Sequence, residues 1–509
     1  MRLKTGQNIQ YKNYYRNLFF AYEIAVDENL MRLSERLDGG SYKPSDVLKF
    51  YIPKSSGLHR PITFLHLDDL IVYQALANII GEKFSNHRKD IENTNVFSYV
   101  FNREEDKDIF QFKKWQEGYK KFLKQIKYFY NSGNKWVAHF DLAAYYETVD
   151  HYMLAKEISR KAYKDFTDFL SNCLETWSTH KKRKLHHSIP QGPLASALIG
   201  EVYLLPVDKT LNKNQIKYVR YVDDIKIFGK TREEVLYGVI LLEKECKERG
   251  LIPQSKKYEI IKATNVEEAL GKFPSLKGHE KDVLFSNEDE TYKMFKNAFD
   301  DNNFDISRVK YILKVSGAND KILDIVLENL KKHPELVDEF CEFLLNYQDD
   351  ATIGNLIYAN ALQNPPPYEY VEGKYWELLS DYELNVFDKD NFISEAMARL
   401  KRARYNYALK LGLYRFICST KNGLVLKWLK NESSALIQML AVPHIPKNCI
   451  SSQEYLDLVN IFFNRSNYEP AIVAIKDLIS NYGLETLKKL KQPLRDDSGV
   501  INNTLGRSE

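Results

Sequence analysis

Apolar positions recur along this chain with two periods, and the period changes partway. Up to about residue 265, short apolar runs alternate with amphipathic stretches. Trp136-Val137-Ala138-His139-Phe140 reads as a strand that ends at Asp141. Ile216 to Arg220 and Ile225 to Phe228 read as two more, and the Tyr221-Val222-Asp223-Asp224 between them predicts a hairpin. Asp68 to Gly81, with Leu70, Ile71, Leu76, Ile79 and Ile80, predicts a helix. Thr231 to Gly250 predicts another, with Thr231 as N-cap and Gly250 as the stop. Ile260 ends the last clear strand. Beyond it the spacing turns helical, over Asn319 to Lys332 and Pro334 to Tyr347, with breaks at Ser316-Gly317, His333-Pro334 and Pro365-Pro366-Pro367. The pattern divides the chain into a mixed α+β part over 1–265, an all-α part over 266–491 and a polar tail over 492–509. Short amphipathic helices with tight turns suggest a HEAT-like helical-repeat array. No strict sequence period is present, and an ordinary bundle fits nearly as well.

Two predicted strand ends carry acid groups. Successive side chains on a strand face opposite ways, so adjacent Asp223 and Asp224 converge only at a bend. Asp-Asp in a turn is ordinarily a solvated turn, because Asp favours turns. Asp141, at the end of another apolar run, changes the reading. Three carboxylates on neighbouring strand ends can hold two divalent cations about 3.5–4 Å apart, the arrangement used for in-line phosphoryl transfer.

The residues around these acids carry a family resemblance. Phe140-Asp141-Leu142-Ala143-Ala144-Tyr145-Tyr146-Glu147-Thr148-Val149-Asp150-His151 resembles the first palm motif of reverse transcriptases. Ile189-Pro190-Gln191-Gly192-Pro193-Leu194-Ala195-Ser196 resembles the second, and Tyr221-Val222-Asp223-Asp224 the third. Gly250-Leu251 with Gln254 and Lys257 resembles a degenerate fourth, in which Pro253 and Gln254 depart from the family's Leu-Asn. Upstream, Ile52-Pro53-Lys54, Arg60-Pro61-Ile62 and Asp68 to Leu76 resemble the fingers. Several motifs in the family's order are far more specific than any one alone. The resemblance covers the first half of the chain. It implies a fingers-palm, right-hand polymerase domain followed by the helical part in place of a thumb.

It also implies site roles. Asp141, Asp223 and Asp224 would be catalytic and hold two Mg²⁺ ions. Tyr146 would exclude a 2′-hydroxyl and so select deoxynucleotides, while Tyr145 reads as core. Gln191 and Gly192 would lie by the incoming nucleotide and template. Ser196 reads as structural. Lys54 and Arg60 would hold the triphosphate; alone they read as two solvated basic residues. Lys257 would protonate the pyrophosphate, although a surface lysine fits its degenerate motif better. The implied partners are deoxynucleoside triphosphates, an RNA template and a DNA product.

Composition narrows the setting. The 509 residues call for two or more domains, and 44% hydrophobic content supplies their cores. Net charge is only +4, so contacts to nucleic acid must come from local patches. Lys181-Lys182-Arg183-Lys184 abuts the second motif, which favours a phosphate contact. Arg399 to Tyr407 is a second basic run, in which Arg399 and Arg402 share a helical face; a solubilising surface explains it equally well. His186 and His187 lack partners at metal-ligand spacing. The five cysteines are scattered, which argues against a disulfide or zinc framework and fits a reducing cytoplasm. The sequence predicts neither a secretory leader nor a membrane span.

Neither a nuclease or integrase acid set, a maturase thumb nor a retron Val-Thr-Gly signature follows the palm motifs. A palm followed directly by helices, together with Asn95-Val96-Phe97-Ser98-Tyr99, resembles the bacterial abortive-infection and defence-associated reverse transcriptases. That group implies antiviral DNA synthesis, either untemplated or copying a companion non-coding RNA. It also implies priming from a protein tyrosine in some members, and trimers or hexamers. With 34 tyrosines, no primer stands out. Two other readings stay open: a mobile-element RNA-directed DNA polymerase, and a non-catalytic nucleic-acid-binding scaffold. The three acids weigh against the scaffold.

Overall fold

The computed structural model describes residues 19–483, apart from 20–21, 24–25, 103–111, 180–182, 272–287, 301–303, 385, 404–405, 421–427, 443–444, 446–450, 465–472, 474, 476–477, 479 and 482. Packing divides the chain into two units. One comprises Lys43–Val47 and Thr63–Lys281; the other comprises Met1–Tyr42, Leu48–Ile62 and Asp282–Glu509.

The first unit is built on a four-stranded antiparallel sheet. Its strands are β3 (Trp136–Phe140), β5 (Lys217–Tyr221), β6 (Asp224–Gly229) and β8 (Glu259–Lys262), in the order β5-β6-β3-β8. The register sets Val137 opposite Phe228 and Ile261, and His139 opposite Lys226 and Glu259. Strand alternation therefore gives one face an apolar far end and a polar near end. The far end is sealed by α2 (Trp115–Asn131) and α5 (Val266–Leu270), through Phe122, Ile126, Ala269 and Leu270. Phe122 and Ile126 are fully buried, each contributing roughly 1.5–3 kcal/mol. On the opposite face lies α4 (Arg232–Glu248), where a Cβ on Gly238 would press on Ile216 and Ile227. The helix α3 (Leu194–Lys213) is buried at every position from Ala195 to Asp208. The outer edge of β5 is covered, as an aggregation-prone edge should be. Arg220 N–H donates to the Asn95 carbonyl (2.7 Å), and Phe97 N–H donates back to the Arg220 carbonyl (3.1 Å).

Most predicted elements fall within two residues of their expected ends. Thr231 caps α4 by accepting from Glu234 N–H, and Gly250 follows it with positive φ. Strand β8 runs two residues past Ile260. The helix expected to stop at Gly81 does not stop there: α1 spans Leu67–Arg88. Gly81 lies mid-helix because Phe101 and Leu198 pack where its Cβ would be, at 2.7 and 2.9 Å. The glycine serves close packing and not termination.

The second unit is mostly helical, and every described element after Lys262 is a helix. Asn319 caps α6 (Asp320–Asn329) by accepting from Ile322 N–H. His333-Pro334 opens a 3₁₀ turn leading into α7 (Val337–Leu344). The triple proline precedes α8 (Glu369–Leu379), which is followed by α9 (Val386–Arg402) and α10 (Tyr407–Ser419). The hairpin of β1 (Leu48–Pro53) and β2 (His59–Phe64) joins this unit through residues 48–62. Tyr368 Oη donates to the Gly57 carbonyl (3.1 Å), and its ring meets His59 edge-on. Cys173, Cys246, Cys341 and Cys418 are buried. Among the described residues no helix is long and apolar enough to cross a membrane.

Candidate active site

Asp141 directly follows β3, and Asp224 opens the neighbouring β6. The chain leaves Asp141 as the short strand β4 (Leu142–Ala143), which pairs with β7 (Ile252–Pro253). Gln254 N–H then donates to the Asp141 carbonyl (2.8 Å). This return brings the 3₁₀ turn Ser255–Lys257 to the strand end, and Lys257 Nζ donates to Asp141 Oδ2 at 2.5 Å. That hydrogen bond raises the Lys257 pKa, against a smaller opposing effect of burial. Asp141, Asp224 and Lys257 line one cleft of about 310 Å³, together with His139, Lys226 and Tyr258.

Asp223 is half-buried at the tip of the β5–β6 hairpin and does not line that cleft. The turn is only two residues long, because Tyr221 pairs directly with Asp224. Val222 takes φ 58°, the left-handed region. A branched Cβ is poorly tolerated there, and such a residue costs roughly 1–3 kcal/mol unless its surroundings impose it.

Among the described residues no three His, Cys, Asp or Glu side chains form a metal cage. The donor chemistry nevertheless suits Mg²⁺. It prefers hard oxygen ligands and is commonly held by one or two carboxylates plus substrate phosphates. Asp141 and Asp224, sharing the cleft, supply that set.

Tyr145 and Tyr146 open a short helix after Ala144, which is left-handed at φ 49°. Tyr145 is core: its hydroxyl donates to the Gly200 carbonyl (2.6 Å). Tyr146 is half-buried. Its ring lies beside Tyr145, and burial, with Tyr99 and Asp223 adding, raises its hydroxyl pKa well above the usual value. The Tyr146 carbonyl accepts from Ile189 N–H (2.8 Å), tying the first motif to the second. Gln191 and Gly192 follow on an irregular segment where the Gln191 carbonyl accepts from Thr63 N–H (2.8 Å). Gly192 has φ 124°, which disfavours any side chain. Ser196 is buried and bonds to the Pro190 carbonyl and Tyr73, a structural position.

Lys54 and Arg60 lie on the β1–β2 hairpin of the second unit. Gly57 N–H donates to the Lys54 carbonyl (2.9 Å), and Lys54 N–H to Leu58 (2.8 Å), forming a tight loop. Of the first basic run, Lys181 and Lys182 lie outside the described residues. Arg183 and Lys184 are exposed, and Lys184 stands 3.8 Å from Glu175. In the second run, Arg404 lies outside the described residues and Arg402 is exposed. The Arg399 guanidinium is committed internally, to Glu372, to Glu395 (2.6 Å) and to the Leu362 carbonyl (3.0 Å).

Sequence patterns missed the charges behind the hairpin. Arg220, Glu201 and Asp208 are all buried, and Arg220 bonds Glu201 (2.9 Å) and Asp208 (2.6 Å). Burial opposes the charge on Arg220, but the two carboxylates more than offset that and hold its pKa well above the usual value. Only the seven-residue spacing of Glu201 and Asp208, two turns on one face of α3, offered a signal.

Comparison with known proteins agrees with the geometry. Residues 52–278 match the family model described as reverse transcriptase (RNA-dependent DNA polymerase). Protein YkfC of Escherichia coli strain K12 is 25% identical over 222 residues, which are 42% of this chain and 50% of the relative. The group II intron-encoded protein LtrA of Lactococcus lactis subsp. cremoris is 25% identical over 202 residues, 38% of this chain and 30% of the relative. The chain thus spans half or less of the length of these relatives. An apo telomerase structure from Candida Tropicalis aligns at a TM-score of 0.34 with 10% identity, covering 78% of this chain and 69% of that one. The family match and the palm motifs on adjacent strand ends converge: residues 52–278 are similar to the reverse transcriptase (RNA-dependent DNA polymerase) domain.

Proposed function

We propose that the protein is a Mg²⁺-dependent DNA polymerase that joins deoxynucleotides by nucleotidyl transfer. The observation that carries this is the shared cleft of Asp141 and Asp224 at the ends of adjacent strands, with Lys257 at its edge. Bound Mg²⁺ would supply charge for the phosphates and help ionise the attacking hydroxyl. Asp141 and Asp224 would hold it, with Asp223 completing the acid set. The primer 3′-oxygen attacks the α-phosphorus and loses its proton to solvent. The bond from that phosphorus to pyrophosphate breaks, and Lys257 gives pyrophosphate a proton. Most of the protein's contribution is alignment and charge stabilisation. Tyr146 is the proposed sugar gate. Gln191 and Gly192 border the nucleotide, Lys54 and Arg60 hold the triphosphate, and Arg183 and Lys184 contact the backbone of template or product. Asp223→Asn changes little volume. It should abolish incorporation in a folded protein; substantial Mg²⁺-dependent incorporation would remove the site assignment.

The biological reading is antiviral defence from the cytoplasm. A homo-oligomer, a trimer or hexamer, would copy a companion non-coding RNA or synthesise DNA untemplated, with the helical unit acting as a HEAT-like replacement for the thumb. The helical unit that follows the palm motifs supports it. A second reading, a mobile-element enzyme, is favoured by the match to an intron-encoded protein. Sequencing the nucleic acid that copurifies separates them. A defined non-coding RNA or covalently attached DNA supports defence, and intron RNA supports the mobile element.

A further inference from the structure

Among the described non-glycine residues with positive φ, Val222 alone is β-branched. It stands immediately before Asp223 and Asp224, so its conformation sets the direction in which both leave the turn. Something must hold it there, and both polar atoms of the residue are gripped. Its N–H donates to Ser98 Oγ at 2.8 Å. Its carbonyl accepts from Arg220 Nη1 at 2.9 Å. Neither grip is loose. Ser98 is buried and its hydroxyl donates a hydrogen bond to Glu201 Oε1 at 2.7 Å, so its lone pair is aimed at Val222. Arg220 is fixed by a fork of two bonds to Asp208, at 3.0 and 2.6 Å, and by Glu201 at 2.9 Å. Glu201 is held in turn by Arg88 at 3.5 Å, and Arg88 by Glu92 at 3.3 Å. Ser98 reaches the turn because Asn95 to Phe97 pair along the edge of β5.

A buried group of charges this size is weak evidence of stability, since apolar packing does as well. Such a group does confer direction. We propose that Ser98 and Arg220 are positioning residues, which clamp the Val222 peptide in its left-handed state and thereby set the course of the hairpin tip and hold the Asp224 carboxylate in the cleft beside Asp141, where the two would bind metal. The reaction they would serve is the nucleotidyl transfer proposed above, on which the catalytic part of this inference rests.

The test compares wild type, Ser98→Ala, Ser98→Thr and Ser98→Ala/Val222→Gly as full chains. Removing the hydroxyl frees Val222 to relax. Glycine at 222 accepts positive φ without strain, so it should recover the turn without the clamp. The first readout is Mn²⁺ binding by electron paramagnetic resonance, which does not depend on turnover. Ser98→Ala should weaken binding about tenfold, the size of effect expected for one lost hydrogen bond on a strained peptide. The double variant should recover most of that loss, and Ser98→Thr, which keeps the hydroxyl, should bind more tightly than Ser98→Ala. The second readout is deoxynucleotide incorporation, in which Ser98→Ala should lose kcat with little change in KM.

Equal Mn²⁺ affinity in wild type and Ser98→Ala would overturn the proposal. So would a loss that Val222→Gly does not restore, because that marks a merely structural serine. Wild type that binds no Mn²⁺ would overturn it together with the metal site. Weakened and rescued Mn²⁺ binding in a protein that incorporates nothing would keep the clamp and reject the proposed reaction.

Discussion

Two arginine clusters in this molecule, one buried and one half-buried, resemble each other until one asks where they end. Arg220 and Arg399 each bind two carboxylates and one backbone carbonyl. The Arg220 cluster ends on Val222, beside the acids of the palm hairpin. Arg399 ties α9 to Glu372 of α8 and to the Leu362 carbonyl, and so fastens helix to helix. Ion pairing does not distinguish them, although Arg220 is the more deeply buried. The difference is that the backbone held by Arg220 adjoins the proposed metal ligands Asp223 and Asp224, so such an arginine becomes informative only once its carbonyl partner is known.

Substitutions in the two units should therefore separate activity from stability. Asp141→Asn should lower incorporation by ~10³-fold or more through loss of metal-held charge. Its melting temperature should barely change, because the carboxylate's direct partner is the largely exposed Lys257. Lost folding, or retained activity, would break the contrast. Lys257→Ala should cost about 10²-fold in kcat, as expected for a general acid. The raised Lys257 pKa keeps the amine protonated at neutral pH and places its loss on the alkaline side. The wild-type pH–rate profile should accordingly fall at high pH, and the variant should lose that limb. An identical alkaline limb in both would return Lys257 to the surface.

Arg399→Ala should do the reverse. Denaturant unfolding should show about 2 kcal/mol of lost stability, since two carboxylates lose their cation. The salt dependence of nucleic-acid binding should not move, because this guanidinium is already occupied. A flatter salt slope would show that it touches phosphate.

Much of the palm was legible in the sequence, and the reasons are local. Alternation within Trp136 to Phe140 fixed a strand, and its end fixed Asp141. The Thr231 cap and the Gly250 stop each act within one turn. What failed was set by distant packing. Gly81 reads as a stop until Phe101 and Leu198 are placed over it. Lys257 is largely exposed, as a surface lysine is, but its contact with Asp141 arises only because β4 pairs with β7 and folds the chain back. The basic runs at 183–184 and 399–402 look alike in sequence, yet Glu372, 27 residues upstream, claims Arg399. Ser98 lies 124 residues from Val222, and no local pattern joins them.

The smallest effect expected lies in the helical unit. Asp338 of α7 is buried, which raises its pKa to about 7, with Lys374 opposing that shift. Tyr370 Oη donates to it at 3.0 Å. A carboxyl whose folded pKa is raised binds a proton that the unfolded chain releases, so stability should fall as pH rises from about 4 to 7, then level off. Asp338→Asn should flatten that slope and gain about 1–2 kcal/mol above pH 7. Parallel stability–pH curves for the two proteins would contradict it. Polymerase activity should be untouched at any pH where both stay folded.

The central claim is that the Asp141–Asp224 cleft performs nucleotidyl transfer. The most direct test is incorporation of α-labelled deoxynucleoside triphosphates by purified full-length chain, wild type against Asp224→Asn, with Mg²⁺ and with chelator, in the presence of copurified nucleic acid and of added primed RNA. Wild type should give polymeric product and released pyrophosphate only with Mg²⁺, and Asp224→Asn of equal melting temperature should give background levels. Product that survives the substitution, or a folded wild type that makes none under either condition, would contradict it.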